Sequence, residues 1–169
     1  GFVETNQYPE TSAATAWALG DSACNYTFKH SANREAQYVY YNAVAEKRRK
    51  VDYAAMPHAV FTSPQVAGVG KTEDDLRDAD RDFLVGTEQY RNVGMGIALK
   101  AETGFVKVLA DPEDREILGC HIVGPEASTL IHQVLAVMSA GTGTVSDIRQ
   151  MIHIHPALNE VVRNAFNNV

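Results

Sequence analysis

From residue 57 onward, short apolar runs alternate with turn-forming residues. Ala59, Val60 and Phe61 precede a Ser63-Pro64 turn, and a second run follows over 66–69. Further apolar runs at 83–90, 95–100, 105–110 and 117–123 are separated by Arg91-Asn92, Glu102-Thr103-Gly104 and Asp111-Pro112. Runs of that length between turn residues predict strands, and short connections favour antiparallel pairing between sequence neighbours. The pattern gives a meander of about four strands. Thr72 interrupts it as the start of a charged helix over 73–80, with acidic residues in the first turn, where they complement the helix dipole.

The end of the chain is helical. Leu130, Ile131, Val134, Leu135, Val137 and Met138 fall within 127–140, where His132 is the one ionisable side chain. So little charge on any face predicts burial on most sides, and one small sheet covers only one of them. The remaining face calls for a partner such as a second subunit. Gly141 and Gly143 stop this helix, Thr144 with Asp147 has the form of a capping box for a short second one, and Pro156 is placed to open the last. The predicted fold is α+β, an antiparallel sheet with helices packed on one face.

Residues 1–45 read differently. Trp17-Ala18-Leu19 is a short apolar run stopped at Gly20-Asp21, predicting a buried strand, and Ala32, Ala36, Val39 and Ala43 give residues 31–45 a helical spacing. One strand and one helix cannot close a core, so 1–45 reads as the tail of a domain whose remainder lies elsewhere. Residues 46–56, containing Lys47-Arg48-Arg49-Lys50, form the expected linker, and 57–169 the second domain.

Composition narrows the function. The chain has 169 residues, 45% hydrophobic and 21% charged, as in an ordinary globular protein. A net charge of −6 argues against a nucleic-acid partner, since phosphate contact favours a basic surface. No apolar run approaches the roughly 18 residues needed to cross a bilayer, and Gly1-Phe2-Val3-Glu4 has neither a basic nor an apolar leader region, so no membrane association is expected. Cys24 and Cys120 form no C-x-x-C pair and read as two buried free thiols in a reducing compartment, which makes a cytoplasmic location the expectation.

Candidate chemistry concentrates in His153-Ile154-His155-Pro156-Ala157-Leu158-Asn159-Glu160. Histidine is poised for proton transfer near neutral pH, and a carboxylate on one ring nitrogen fixes the tautomer at the other. If Pro156 opens the helix, His155 lies in the turn before it and can fold back along the axis toward Glu160. The same residues also fit a helix cap beside a solvent-exposed Glu160. His153 and His155 alternate like two ligands on a strand, but no third or fourth ligand has zinc-like spacing, so no metal is expected.

Residues 155–160 resemble the H-P-x-x-x-E signature of the flavoprotein pyridine nucleotide-disulfide oxidoreductases, the family of dihydrolipoyl dehydrogenase, glutathione reductase and mycothione reductase. Residues 57–70 resemble the opening of that family's interface domain, and Ile117-Leu118-Gly119-Cys120-His121-Ile122-Val123-Gly124-Pro125 its last strand. Trp17-Ala18-Leu19-Gly20-Asp21 resembles the second flavin motif. The resemblance implies a dimerisation domain preceded by a strand-helix remnant of an FAD-binding domain, in a homodimeric parent using FAD and NAD(P)H on a small disulfide or dihydrolipoyl substrate. It makes Asp21 an acceptor for a flavin hydroxyl with Gly20 at the close turn. It also brings the backbone N–H groups of Lys29 and His30 to the flavin pyrimidine edge, although the family usually has a small residue where Lys29 stands. His155 becomes the acid-base catalyst and Glu160 its orienting carboxylate, serving a site completed across the dimer interface. The sequence contains no G-x-G-x-x-G and no redox C-x-x-x-x-C. The chain alone is therefore expected to be inactive and to hold no FAD. Two alternatives stand beside this: a dimerisation scaffold without redox chemistry, for which Gly20-Asp21 would be superfluous, and a mercuric reductase-like enzyme. The latter usually carries a cysteine pair near its end, where this chain reads Arg163-Asn164-Ala165-Phe166-Asn167-Asn168-Val169.

Overall fold

Five short segments, rather than four, build the sheet. The computed structural model describes residues 1–23 and 25–169, which divide into units Gly1–Ala54 and Ala55–Val169. In the second unit the strands are β1 (Pro57–Val60), β2 (Gln65–Gly70), β3 (Leu84–Gln89), β4 (Phe105–Ala110) and β5 (Ile117–Gly124). They lie in the order β1-β2-β5-β4-β3, every neighbouring pair antiparallel. The α+β class with an antiparallel sheet is as expected, with one strand more and a different order from a sequential meander. β5, last in the chain, takes the centre. Its Cys120 and Ile122, fully buried, continue the apolar rows of Ala67 and Val69 on β2 and of Val106 and Val108 on β4.

Residues 95–100 form no strand. Gly94–Ala98 is a short helix, and β3 pairs instead with β4 from Leu84↔Ala110 to Gln89↔Phe105. Met95, Ile97 and Leu99 alternate as a strand would, but a run this short does not distinguish the two periods, and Val106 and Val108 of β4 are the better strand formers. The remaining helices of this unit are α2 (Glu73–Asp78), α3 (Gly94–Ala98), α4 (Ala127–Ala140), α5 (Val145–Gln150) and α6 (Asn159–Asn167), α1 being the helix of the first unit, Lys29–Ala43. α4 packs on β1, β2 and β5, and α6 on β3 and β4. Between them lies one apolar core that includes Tyr90, Ile122, Ile131, Val134, Val161 and Phe166. Each such large side chain contributes about 1.5–3 kcal/mol on burial. On the opposite face α2, held by reciprocal Thr72–Asp75 capping bonds, adds a small cluster of Leu76, Leu109 and Leu118. Pro156 does not open the last helix, which begins three residues later at Asn159.

The first unit is built around polar groups. Trp17 makes a single bridge to Glu10 rather than a strand, and a tight turn over Gly20–Ser22 follows. α1 packs on that turn. Glu35 of α1, 1% exposed, accepts the Gly20 N–H at 2.5 Å and the Tyr53 hydroxyl at 2.6 Å. Burial and the Glu35 hydrogen bond hold the Tyr53 hydroxyl protonated well above its usual range. Cys24 lies outside the described residues. Cys120 is a free, buried thiol as expected, and burial pushes it up to about 12.

Candidate active site

Residues 151–158 connect α5 to α6, and Glu160 sits in the first turn of α6, where the helix dipole favours a carboxylate. The His155–Pro156 bond is cis. His155 Nδ1 lies 3.1 Å from both Glu160 oxygens, and the Ala157 N–H donates to Oε2 at 3.2 Å. The His155 side chain is 74% exposed and that of Glu160 8%. Glu160 is thus a buried acceptor beneath an accessible ring, which rules out the solvent-exposed Glu160 of the cap reading. The N-cap of α6 is Leu158.

The electrostatics fix the ring. The hydrogen bond from His155, and next the Ala157 N–H, hold the Glu160 carboxyl below its usual range. An ionised carboxylate only accepts, so Nδ1 carries the proton and Nε2 is left at the accessible edge to take up or release one. Arg163 Nη2, 3.6 Å from Glu160 Oε1, also stabilises the anion. Sequence reasoning missed Arg163 and the Ala157 amide. The i,i+3 spacing of Glu160 and Arg163 was the available signal for the first. His153 does not join the pair, since its Nδ1 lies 3.0 Å from the Met151 carbonyl oxygen. Beside the pair, Met151, Ile152 and Ile154 are exposed, Ile152 completely.

The expected flavin residues lie in the first unit. Gly20 adopts φ +63°, a left-handed conformation that costs glycine little, and a Cβ there would stand 3.2 Å from Ala32 Cβ. The turn leaves Asp21 exposed. Lys29 and His30 occupy the first turn of α1, whose N-cap, Phe28, offers no side-chain acceptor. A carboxylate that can accept from a hydroxyl and backbone N–H groups at a helix N-terminus are the acceptor and donor types that a flavin's polyol chain and electron-rich ring edge require. The residues fit the group. No group of three or more His, Cys, Asp or Glu side chains among the described residues is placed to hold a metal ion.

Residues 56–166 match the model of the pyridine nucleotide-disulphide oxidoreductase dimerisation domain. Mycothione reductase of Mycobacterium tuberculosis is 38% identical over 98% of this chain and 37% of its own length. Dihydrolipoyl dehydrogenase of Halobacterium salinarum is 36% identical over 98% of this chain and 34% of its own length. The chain thus spans little more than a third of the relatives it matches. Its fold superposes on LpdA of M. tuberculosis with a TM-score of 0.89 at 20% identity, covering 98% of this chain and 36% of that one. The flavoprotein disulfide reductase RclA of Escherichia coli gives a TM-score of 0.90 at 25% identity, covering 100% of this chain and 39% of that one. The chain belongs to the pyridine nucleotide-disulphide oxidoreductases, as a bearer of their dimerisation domain.

Proposed function

We propose that this chain is part of an FAD-dependent, NAD(P)H-linked disulfide reductase or dihydrolipoyl dehydrogenase, to which it brings the acid-base pair His155 and Glu160. The observation that carries this is the exposed His155 ring seated by Nδ1 on both oxygens of a buried carboxylate. Such a ring can protonate a leaving thiolate or take the proton from an attacking thiol through Nε2, while Glu160 stabilises the imidazolium formed in between. FAD, when bound, supplies the electron relay between nicotinamide and disulfide. Toward it Asp21 offers an acceptor at the turn made by Gly20, and the Lys29 and His30 amides lie at a helix start. The parent is a homodimer in which the pair serves a site completed across the interface. The exposed Met151, Ile152 and Ile154 beside His155 and the weakly charged outer face of α4, with Thr129, His132, Ala136 and Ser139, supply surface of the kind such an interface buries. The substrate is a small organic disulfide or dithiol, as the names of the two curated relatives suggest.

In the full-length enzyme carrying this chain, His155→Gln is expected to slow the half-reaction with disulfide or dithiol by about 10²–10⁴-fold, the usual worth of a positioned acid-base group. Flavin reduction by nicotinamide stays near normal. Stopped-flow measurement of both half-reactions checks this, and an unchanged disulfide half-reaction removes the catalytic role.

A further inference from the structure

On the sheet face away from α4, three adjacent strands set His58, Gly68 and His121 in one row, paired His58↔Gly68 and Gly68↔His121. Their sequence neighbours Ala59, Ala67, Val69, Cys120 and Ile122 point into the core, so alternation turns these three positions outward. Gly68 puts no side chain between the two rings, and both lean over it. The point that a Cβ on Gly68 would occupy is 2.7 Å from His121 Nδ1 and faces the Cε1–Nε2 edge of His58, 2.8 Å from Cε1 and 2.9 Å from Nε2. The ring centroids are 6.4 Å apart.

The proton on His121 is placed by its surroundings. His121 Nε2 lies 2.9 Å from the Lys71 carbonyl oxygen, which can only accept, so Nε2 carries the N–H and Nδ1 keeps its lone pair. A backbone carbonyl on the far nitrogen is also how metal-binding imidazoles are commonly oriented. The ammonium of Lys107, the residue opposite His121 on β4, is drawn to Glu73 Oε1 at 2.6 Å. A metal–nitrogen length of about 2.0–2.1 Å sets two imidazoles bound trans to one ion roughly 6 Å apart between centroids, close to the spacing observed.

We propose that His58 and His121 form a two-histidine site for a divalent late transition-metal ion seated over Gly68. The protein supplies two nitrogens and water the remaining ligands, a donor set that suits tetragonal Ni(II) or Cu(II) better than a closed tetrahedral zinc site. The site lies apart from His155 in sequence and does not depend on the role proposed for it.

Titrating the 169-residue chain with nickel(II) chloride, followed by calorimetry and by paramagnetic broadening of its NMR resonances, tests this. The expected result is one ion per chain with broadening centred on residues 58, 68 and 121. His58→Gln and His121→Gln should each weaken binding by about tenfold or more. Gly68→Ala should do the same with both rings retained, because its Cβ would fall inside contact distance of each. Broadening centred on His132 or His155, or affinity unchanged in both glutamine variants, would show adventitious binding only and overturn the proposal. The wild-type broadening map decides the matter even where a variant fails to fold.

Discussion

The two units of this chain are held together by opposite means. Residues 55–169 enclose an apolar core spanning sheet and helices, whereas among the described residues of 1–54 no large apolar side chain is buried. The first unit buries Ser31 and Glu35 instead, and ties its loops with the Glu35 carboxylate and with Arg48 and Arg49 stacked on Tyr8 and Tyr41. Apolar burial is non-directional and grows with area, while a polar cluster holds only as long as each bond in it is made. The second unit therefore carries its stability within itself. The first lacks the apolar burial that offsets chain entropy, and its local opening should be easier.

The largest effect should come from the core. Phe166→Ala is expected to cost about 3–5 kcal/mol in denaturant unfolding of the second unit. A loss below about 1 kcal/mol would break the contrast, because the core would then not be what holds the sheet to α6. Next, Glu35→Leu removes the acceptor for two donors, a loss of about 1–3 kcal/mol. Hydrogen exchange should register it as faster amides within 1–54 while β5 is unchanged, and accelerated β5 amides would mean that the units unfold together.

How much of this was legible in the sequence follows the same division. Short apolar runs between turn-forming residues marked every true strand of the second unit, because a strand with a buried face needs apolar residues and a tight connection needs turn formers. The place of β5 between β2 and β4 was not legible, since pairing across some fifty residues leaves no local trace. The run Met95, Ile97, Leu99 carried the alternation without the strand. In the first unit Trp17-Ala18-Leu19 reads as a buried strand, but the segment is half-buried and forms a single bridge, Trp17 with Glu10, before a tight turn. The His155–Glu160 pair was legible as a motif. Its geometry was not, because the helix starts at Asn159 and brings Glu160 into the first turn, under the ring.

A smaller effect is expected with pH. The Glu160 carboxyl is held below its ordinary 4.5, first by His155 and then by the Ala157 amide. A depressed carboxyl adds stability above its ordinary value and loses it as pH falls through the lowered one. Glu160→Gln should therefore flatten the acid limb of a plot of Tm against pH between roughly pH 5 and 3, with the wild type and variant converging at the acid end. The smallest effect belongs to the surface of the first unit. Arg48→Ala, which removes the stack on Tyr8 and the pair with Glu10, should cost at most about 1 kcal/mol by thermal melting and leave the second unit's transition unmoved.

The central position of β5 also governs the order of assembly on the ribosome. β1 with β2, and β3 with β4, can each form as local hairpins when they emerge, but the strand that joins them comes later than either. Until Ile117–Gly124 is made, β2 and β4 each present a row of unpaired backbone groups, and such edges invite pairing with other chains. Closing the sheet requires β2 to wait for a partner running from Gly124 opposite Gln65 to Gly119 opposite Gly70, so the pairings that close the sheet are also the most distant along the chain of all its strand pairings. Folding of this unit should be slow relative to helical proteins of its size, and a nascent chain stalled before β5 should aggregate more readily than one stalled after it.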